Sequence, residues 1–291
     1  MFGVDLHTHT LISDGTYSPE QLVQAAVDLK IHTLAVTDHD TMDGLTRAQR
    51  YLDEHAQDHD IRLISGVEVS SQWSRPNTKK SYGVHIVALN MQDETPIREL
   101  LEQQKKVRAE RAKVICDLLE KCIGFDIYAE VIAKVDGHVD RVTRTHIAKT
   151  LVEKNIVSRP QQAFDRFLKE GKKAFVKFDG VGLKETIDVI HASQGFAVLA
   201  HPTRYDLSAT NIRYLIELFA ASGGDAVELP PSIEPASTRQ MVDRMIQQCD
   251  LAVSIGSDFH GDNMPWIKLG QTPRVKEGQR GVWEQFKYPT S

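Results

Sequence analysis

Histidines and carboxylates recur along this chain at spacings that suit metal ligation. His7 and His9 stand two apart in Asp5-Leu6-His7-Thr8-His9-Thr10, and Asp14 follows in Ser13-Asp14-Gly15. His39 lies in Thr37-Asp38-His39-Asp40-Thr41, and Glu68 ends Gly66-Val67-Glu68. His85, His201 before Pro202, and the pair Asp258 and His260 in Ser257-Asp258-Phe259-His260 complete the set. On a strand, residues i and i+2 point to one side, so His7 and His9 can reach the same ion. Asp258 and His260 repeat that spacing. Six histidines and three carboxylates form an all-imidazole, all-carboxylate set. Such a set suits Mn²⁺, Zn²⁺ or Fe²⁺ rather than Cu⁺ or an iron–sulfur cluster. Nine ligands exceed the needs of one ion; with a bridging carboxylate they can hold two or three.

These residues lie in or just after short apolar runs that read as strands. Val4–His7, Thr33–Thr37, Leu63–Val67 and Val84–Leu89 are the first four. Phe196–Ala200, Ala226–Leu229 and Leu251–Ile255 are the last three. Between them lie helical patterns. Ser18 is a good N-cap and Pro19 suits the first helical turn, with Leu22, Ala26 and Leu29 on one face. A polar helix runs to about Gln57. Leu183–Ala192, Asn211–Ala221 and Ala236–Gln248 are helices of the second half. Seven strands alternating with helices argue for a parallel α/β barrel. In such a barrel the C-terminal strand ends converge on one face, and that is where the ligands fall. From about Thr95 to Glu170 the pattern is almost wholly helical: Pro96–Lys121, Arg144–Lys154 and Gln161–Lys169. The division expected is a barrel of 1–94 and 171–291 with an inserted helical subdomain at 95–170. The tail after Gly261 reads as irregular.

Crowding nine polar and charged groups at one barrel end is costly unless a cation compensates them. Other candidates read differently. His32, His55, His59, His138 and His191 are expected to be hydrogen-bonded or solvated. Asp5, Asp38 and Asp40 are expected to cap helices or to orient imidazoles.

Composition sets further bounds. The chain has 291 residues, 41% hydrophobic, and a formal net charge of -5. That is enough for one large domain with an insertion. It gives no broad positive field, so a nucleic-acid substrate must be gripped locally. Cys116, Cys122 and Cys249 form no C-x-x-C pair, which suits a reducing compartment and excludes a cysteine-based zinc site. No signal peptide and no membrane span are expected, and the expected location is the cytoplasm.

Taken together and in order, the quoted motifs resemble those of the polymerase-and-histidinol-phosphatase (PHP) family. The resemblance covers nearly the whole chain and implies a distorted seven-stranded PHP barrel with a trinuclear site, commonly of manganese, zinc or iron. Carried over by position, His7, His9, Glu68 and Asp258 would surround the first ion. Glu68 as bridge, with His85 and His201, would hold the second, and Asp14, His39 and His260 the third. The helical insertion and Arg144-Thr145-His146-Ile147-Ala148 resemble the branch of 3′,5′-nucleoside bisphosphate phosphatases. That branch includes 5′→3′ exoribonucleases that mature ribosomal RNA 5′ ends and digest short oligonucleotides. There, arginines on the inserted helices bind the substrate's 5′-phosphate, and Arg108, Arg111 and Arg144 stand in place for that. Arg108 and Arg111 are three apart and share a helix face. Arginine's fork suits phosphate oxygens. The chain departs from the family at Glu228-Leu229-Pro230-Pro231, where many relatives carry an aromatic-rich segment.

The resemblance implies 5′-phosphorylated RNA and nucleoside 3′,5′-bisphosphates as substrates, with Mn²⁺ the expected metal. The expected nucleophile is a hydroxide activated by the metals, so no separate catalytic side chain is assigned. Attack on the phosphorus at the first nucleotide's 3′-oxygen unites the two activities. A terminal phosphate yields a 5′-nucleotide and inorganic phosphate. A linking phosphate yields a 5′-nucleotide and a shortened strand with a new 5′-phosphate. The rival readings are a histidinol-phosphate phosphatase on the same barrel and a non-catalytic PHP interaction module.

Overall fold

The computed structural model describes residues 3–55, 60–75 and 81–287. His59 and the end of the polar helix expected to reach Gln57 lie outside them. The elements are β1 (Val4–Asp5), α1 (Pro19–Asp28), β2 (Thr33–Ala35), α2 (Asp43–His55), β3 (Arg62–Ile64), β4 (Gly66–Ser74), β5 (Ser81–Leu89) and α3 (Thr95–Ile123). They continue with α4 (Tyr128–Ala133), α5 (Arg144–Glu153), α6 (Pro160–Ala163), α7 (Leu183–Ala192), β6 (Phe196–Leu199), α8 (Ala209–Ala221), β7 (Ala226–Glu228), α9 (Ala236–Gln248) and β8 (Ala252–Ser254).

One sheet runs β1-β2-β3, all parallel, and the other β4-β5-β6-β7-β8. Two links join them into a barrel. Leu6 N–H donates to Ile255 O at 3.0 Å, and Thr8 bridges Phe259. On the other seam His39 bridges Glu68. The barrel interior holds Leu6, Ala35, Val87, Val198, Ala226 and Ala252, closed at one end by Val282 and Phe286. Those last two come from a 3-10 turn, Val282–Gln285, and the residue after it, in the tail expected to be irregular.

The strand pattern departs from the expected one at Leu63–Val67. That run splits into β3 and β4, and β4 continues to Ser74, so Glu68 lies inside a strand near its start. Gly66 marks the split: a Cβ there would stand 2.9 Å from Thr37 Cγ2 and 3.0 Å from Val36 O. Only glycine allows β4 to approach the end of β2 so closely. Strand β4 runs antiparallel to β5, and β5 antiparallel to β6; β6, β7 and β8 are parallel. The 75–80 connection is too short for the crossover that parallel pairing requires. The result is the expected distorted barrel; among the described residues its third run is divided into β3 and β4, and the pairings of β4 with β5 and of β5 with β6 are antiparallel.

Helix α1 forms as its capping residues dictate. Gln21 N–H donates to Ser18 Oγ at 3.2 Å, and Ser18 N–H to Gln21 Oε1 at 2.8 Å. Leu22 and Ala26 are buried, whereas Leu29, just past the last turn, is 53% exposed and does not share their face. Helix α3 is long enough to serve two cores. At ~1.5 Å per residue it spans roughly 43 Å. Ile97, Leu100 and Leu101 pack into the barrel's outer layer. Ala112, Ile115, Cys116 and Leu119 pack with Ile127, Ile147, Leu151 and Leu168 in a second core. Between the halves, Gln104 Nε2 donates to Ser70 O at 2.6 Å and its Oε1 accepts from Val181 N at 3.3 Å. The helix ends at Gly124, with φ +87°. The run expected as Gln161–Lys169 is α6 followed by a π-turn, Phe164–Leu168.

Candidate metal centre

The nine residues singled out by spacing meet at one end of the barrel. Four overlapping groups each bring candidate ligand atoms within 4.8 Å of one another. They are His9, Asp14, His39 and His260; His7, His9 and Asp258; His7, Glu68 and His201; and His39, Glu68 and His85. His7, His9, His39 and Glu68 each belong to two of these neighbourhoods, as residues between adjacent ions would. Glu68 is the hub. Its Oε1 lies 2.8 Å from His85 Nδ1, 2.9 Å from His201 Nε2 and 3.4 Å from His7 Nε2. Its Oε2 lies 2.8 Å from His39 Nδ1 and 3.3 Å from His9 Nε2. Asp258 Oδ1 stands 3.3 Å from His9 Nε2 and 3.6 Å from His7 Nε2. Asp14 Oδ1 stands 3.3 Å from His260 Nε2 and 3.8 Å from His39 Nε2.

These short approaches fit divalent cations better than hydrogen bonds. Asp14 Oδ1, Glu68 Oε2, His39 Nδ1, His85 Nδ1 and His201 Nδ1 are buried and have no hydrogen-bond partner among the described residues. His39 Nδ1 and Glu68 Oε2 are close yet not aligned as donor and acceptor. Buried polar atoms are almost always paired. Carboxylates and imidazoles that crowd together with lone pairs unsatisfied are what a cation's ligands look like without it. The rings also crowd, with His9 and His260 stacked at 4.1 Å between centroids.

Charge and burial set the protonation of the metal-free cluster. Burial would raise the Glu68 carboxyl, but His85, His39 and His7 outweigh it and hold it well below the usual range. Burial and the neighbouring His260 push His9 down to about 3. Burial opposes charge on His260 too, yet Asp14 and Asp258 raise it to about 10. The cluster therefore binds protons where it can bind metal.

The fold positions these groups through backbone approaches and a few carboxylates. A Cβ on Gly256 would meet His7 Cβ at 2.3 Å, so glycine is what lets the chain after β8 close onto β1. His201 and Asp258 adopt positive φ, +28° and +56°. Non-glycine residues held there collect at functional sites. Asp38 accepts from Thr10 N–H and Oγ1, both at 2.7 Å, and from Ser13 Oγ at 2.6 Å. Asp5 accepts from Ser257 N–H at 2.9 Å and Gly270 N–H at 2.8 Å. Asp40 accepts from Ser70 N–H at 2.7 Å and pairs with Arg108. Asp5 and Asp40 brace backbone instead of imidazoles, whereas Asp38 reaches one through Ser13, whose Oγ lies 3.4 Å from His9 Nδ1. The His7 imidazole is oriented by Glu228, which closes β7 with Oε2 2.6 Å from His7 Nδ1. Spacing missed it, although a strand-end carboxylate is the signal that found the others. Among the described residues, His32 and His55 meet backbone carbonyls at Asp60 and Tyr51, His191 pairs with Asp225, and His138 is exposed, as expected.

Arg108, Arg111 and Arg144 converge on a cavity of about 210 Å³ bordered by Asp14, His39 and His85. Phe178 lies under Arg108 and Arg111, at 5.9 and 5.6 Å, and Phe164 under Arg144 at 5.8 Å. The three are not equivalent. Arg108 is committed to buried Asp40 and to Ser70 Oγ, the latter at 2.7 Å. Arg111 donates to Val176 O at 3.0 Å and has no carboxylate partner among the described residues. Burial, Arg144 and Arg108 together draw it down to about 9. Three guanidiniums against two carboxylates, Asp40 on Arg108 and Asp14 at the cavity's border, leave a positive excess that an anion would relieve. A fourth arginine, Arg204, pairs with Asp258 Oδ2 and was not legible from spacing.

Known proteins are similar to this chain in sequence and shape. The model of the PHP domain matches residues 5–184. A 5′-3′ exoribonuclease of Haemophilus influenzae is 40% identical over 283 residues, covering 97% of this chain and 98% of the relative. A 3′,5′-nucleoside bisphosphate phosphatase of Chromobacterium violaceum is 30% identical over 288 residues, covering 99% and 97%. A solved structure described as an amidohydrolase from Chromobacterium violaceum, with bound sulfate and no metal, superposes with a TM-score of 0.84 at 29% identity. It covers 97% of this chain and 94% of its own.

Proposed function

The chain belongs to the PHP family, and from that premise we propose that it is a 5′→3′ exoribonuclease on 5′-phosphorylated RNA that also removes the 3′-phosphate of nucleoside 3′,5′-bisphosphates. The observation that carries this reading is the arginine cavity opening beside the ligand cluster. A terminal 5′-phosphate seated on Arg111 and Arg144 leaves one nucleotide to span from cavity to cluster. Its 3′-phosphate is then the group in reach of reaction, whether terminal or linking. The names of the relatives support both substrates.

Each side chain has a task. His7, His9, Asp14, His39, Glu68, His85, His201, Asp258 and His260 hold two or three divalent ions, Mn²⁺ by preference, with Zn²⁺ or Fe²⁺ as substitutes. When bound, such ions supply an activated water and positive charge against the phosphoryl oxygens. Arg111 and Arg144 bind and orient the 5′-phosphate by charge-assisted hydrogen bonds. Arg108 fastens α3 to the Asp40 loop beside His39, which fixes the cavity relative to the cluster. The helical insertion, 95–170, acts as the substrate-binding subdomain of a barrel made by 1–94 and 171–291. Among the described residues no helix is long and apolar enough to cross a membrane. Its three unpaired cysteines suit a reducing compartment, and the cytoplasm is the location we propose.

A substrate panel with added Mn²⁺ tests the reading: adenosine 3′,5′-bisphosphate, 5′-phosphorylated RNA, 5′-hydroxyl RNA and histidinol phosphate. Fast turnover of the first two is expected. Turnover of histidinol phosphate alone would return the chain to the rival phosphatase.

A further inference from the structure

Arg204 reaches the ligand cluster from an edge other than the arginine cavity. Its guanidinium donates to Asp258 Oδ2, while Asp258 Oδ1 faces His7, His9 and His260. The turn that presents it is fixed. Arg204 N–H donates to His201 O at 2.9 Å. Tyr205 Oη donates to Ala200 O at 3.0 Å and accepts from His85 N–H at 2.7 Å. The Arg204 side chain remains 29% exposed, with donors to spare beyond the one on Asp258.

One residue before it, Thr203 enters an open basin of about 510 Å³ lined also by Arg213, Ser237, Thr238, Arg244 and Glu234. Arg213 and Arg244 are exposed. Glu234, the acid among these lining residues, accepts from Thr203 Oγ1 at 2.9 Å. The path from Arg204 into the basin therefore carries three guanidiniums against two engaged carboxylates, Asp258 on Arg204 and Glu234 on Thr203, and leaves Arg213 and Arg244 as the cations in excess. Ile233, 80% exposed, stands beside Glu234 on the same loop and offers an apolar face.

We infer that Arg204 and this basin take the RNA strand on the 3′ side of the scissile phosphate. The inference rests on the proposed function. The bond broken there joins phosphorus to the 3′-oxygen of the cavity-held nucleotide, and water's oxygen replaces it on phosphorus. The nucleotide keeps its 3′-oxygen as a hydroxyl, and the strand keeps the phosphate. That strand needs an edge of its own, apart from the cavity, and Arg204 with the basin supplies cations along one. Arginines that meet phosphates without base-edge groups bind strands of any sequence. A bisphosphate nucleotide has no such strand and makes no use of the basin.

The test compares the Mn²⁺-loaded enzyme with an Arg213→Ala, Arg244→Ala double variant. Substrates are adenosine 3′,5′-bisphosphate and 5′-phosphorylated oligoribonucleotides of increasing length. Both arginines are exposed, so the double variant is expected to fold. The ratio of kcat/KM on long strands to that on the bisphosphate should fall about tenfold. The dependence of log kcat/KM on log salt for long strands should flatten by about 1.4, because each phosphate that an arginine no longer neutralises removes about 0.7 from the slope. Arg204→Gln should lower the same ratio already at the dinucleotide. Equal losses on bisphosphate and RNA, or losses independent of strand length, overturn the track while leaving the proposed function standing. A parent enzyme that cleaves neither substrate overturns both.

Discussion

Glu228 Oε2 lies 2.6 Å from His7 Nδ1, so the ring is gripped from behind while Nε2 faces the cluster, 3.1 Å from His9 Nε2. A carboxylate in that position fixes the tautomer and rotation of a ligating imidazole and raises its basicity. It also gives the Glu228 departure in the sequence a structural role: the acid that closes β7 serves the metal site.

Removing that grip should cost metal affinity rather than the fold. Loss of such an orienting partner lowers metal affinity ~10–100-fold. Glu228→Gln is therefore expected to weaken metal binding by about that factor, measured by competition with a chromophoric chelator. Unchanged affinity would show that His7 needs no partner.

Glu68 touches more of the cluster than any other carboxylate described, with five imidazoles within 3.4 Å. Glu68→Gln keeps the shape but removes the charge and half the ligating capacity. Turnover should fall beyond ten-thousandfold, on the order of 5 kcal/mol in barrier. A variant that folds, holds its full metal and keeps most of its turnover would falsify the bridging role.

The convergence of the nine residues was legible because imidazoles and carboxylates at strand ends have few other reasons to recur, and because the i, i+2 spacing carries its own geometry. Helices α7 and α9 were legible to the residue from apolar periodicity. What escaped depended on partners far away in sequence. The split at Gly66 is set by its close approach to Thr37 and Val36. The pairing of Arg204 with Asp258 spans 54 positions, and that of Glu228 with His7 spans 221. The unequal roles of Arg108 and Arg111 could not be read from their shared helix face, because Asp40 makes the difference and sits on another element.

If His260 holds metal as proposed, metal and protons compete for it. In the metal-free protein its pKa is about 10 against an ordinary 6.5, so it is charged at neutral pH. A raised histidine stabilises the metal-free fold fully below about 6.5, and the gain is lost as pH rises through about 10. Metal must displace that proton, so affinity should rise with pH and binding should release protons. Calorimetry in buffers of different ionisation enthalpy measures the release. Elemental analysis of the replete protein should give more than one transition ion per chain. An enthalpy independent of buffer, or a stoichiometry of one or less, contradicts this account.

The arginines separate binding from architecture. Arg111 has no carboxylate partner among the described residues, so Arg111→Ala removes an anion ligand without orphaning an acid. Charge-assisted hydrogen bonds to a phosphate contribute ~1.5–3 kcal/mol each. The variant should lose most of the preference for 5′-phosphate over 5′-hydroxyl RNA, with thermal stability nearly unchanged. Arg108→Ala should differ in kind. It strands Asp40, which is fully buried, and breaking a buried pair costs roughly 3–5 kcal/mol. Its melting temperature should fall clearly, and Asp40→Asn in the same chain should restore part of the loss. Discrimination should weaken in Arg108→Ala as well, because the cavity shifts relative to the cluster and misplaces the reacting phosphate. Metal content should stay unchanged in Arg111→Ala, since Arg111 is not among the ligands. The measurements are unfolding curves and time courses on 5′-labelled and 3′-labelled oligonucleotides resolved by length. Labelled mononucleotide from the 5′ end with a ladder of 3′-labelled products is the expected pattern for the parent enzyme. Equal rates on 5′-phosphate and 5′-hydroxyl ends, or early internal cuts, would remove the 5′-phosphate from the cavity. Arg111 would then be left as a surplus charge with no task.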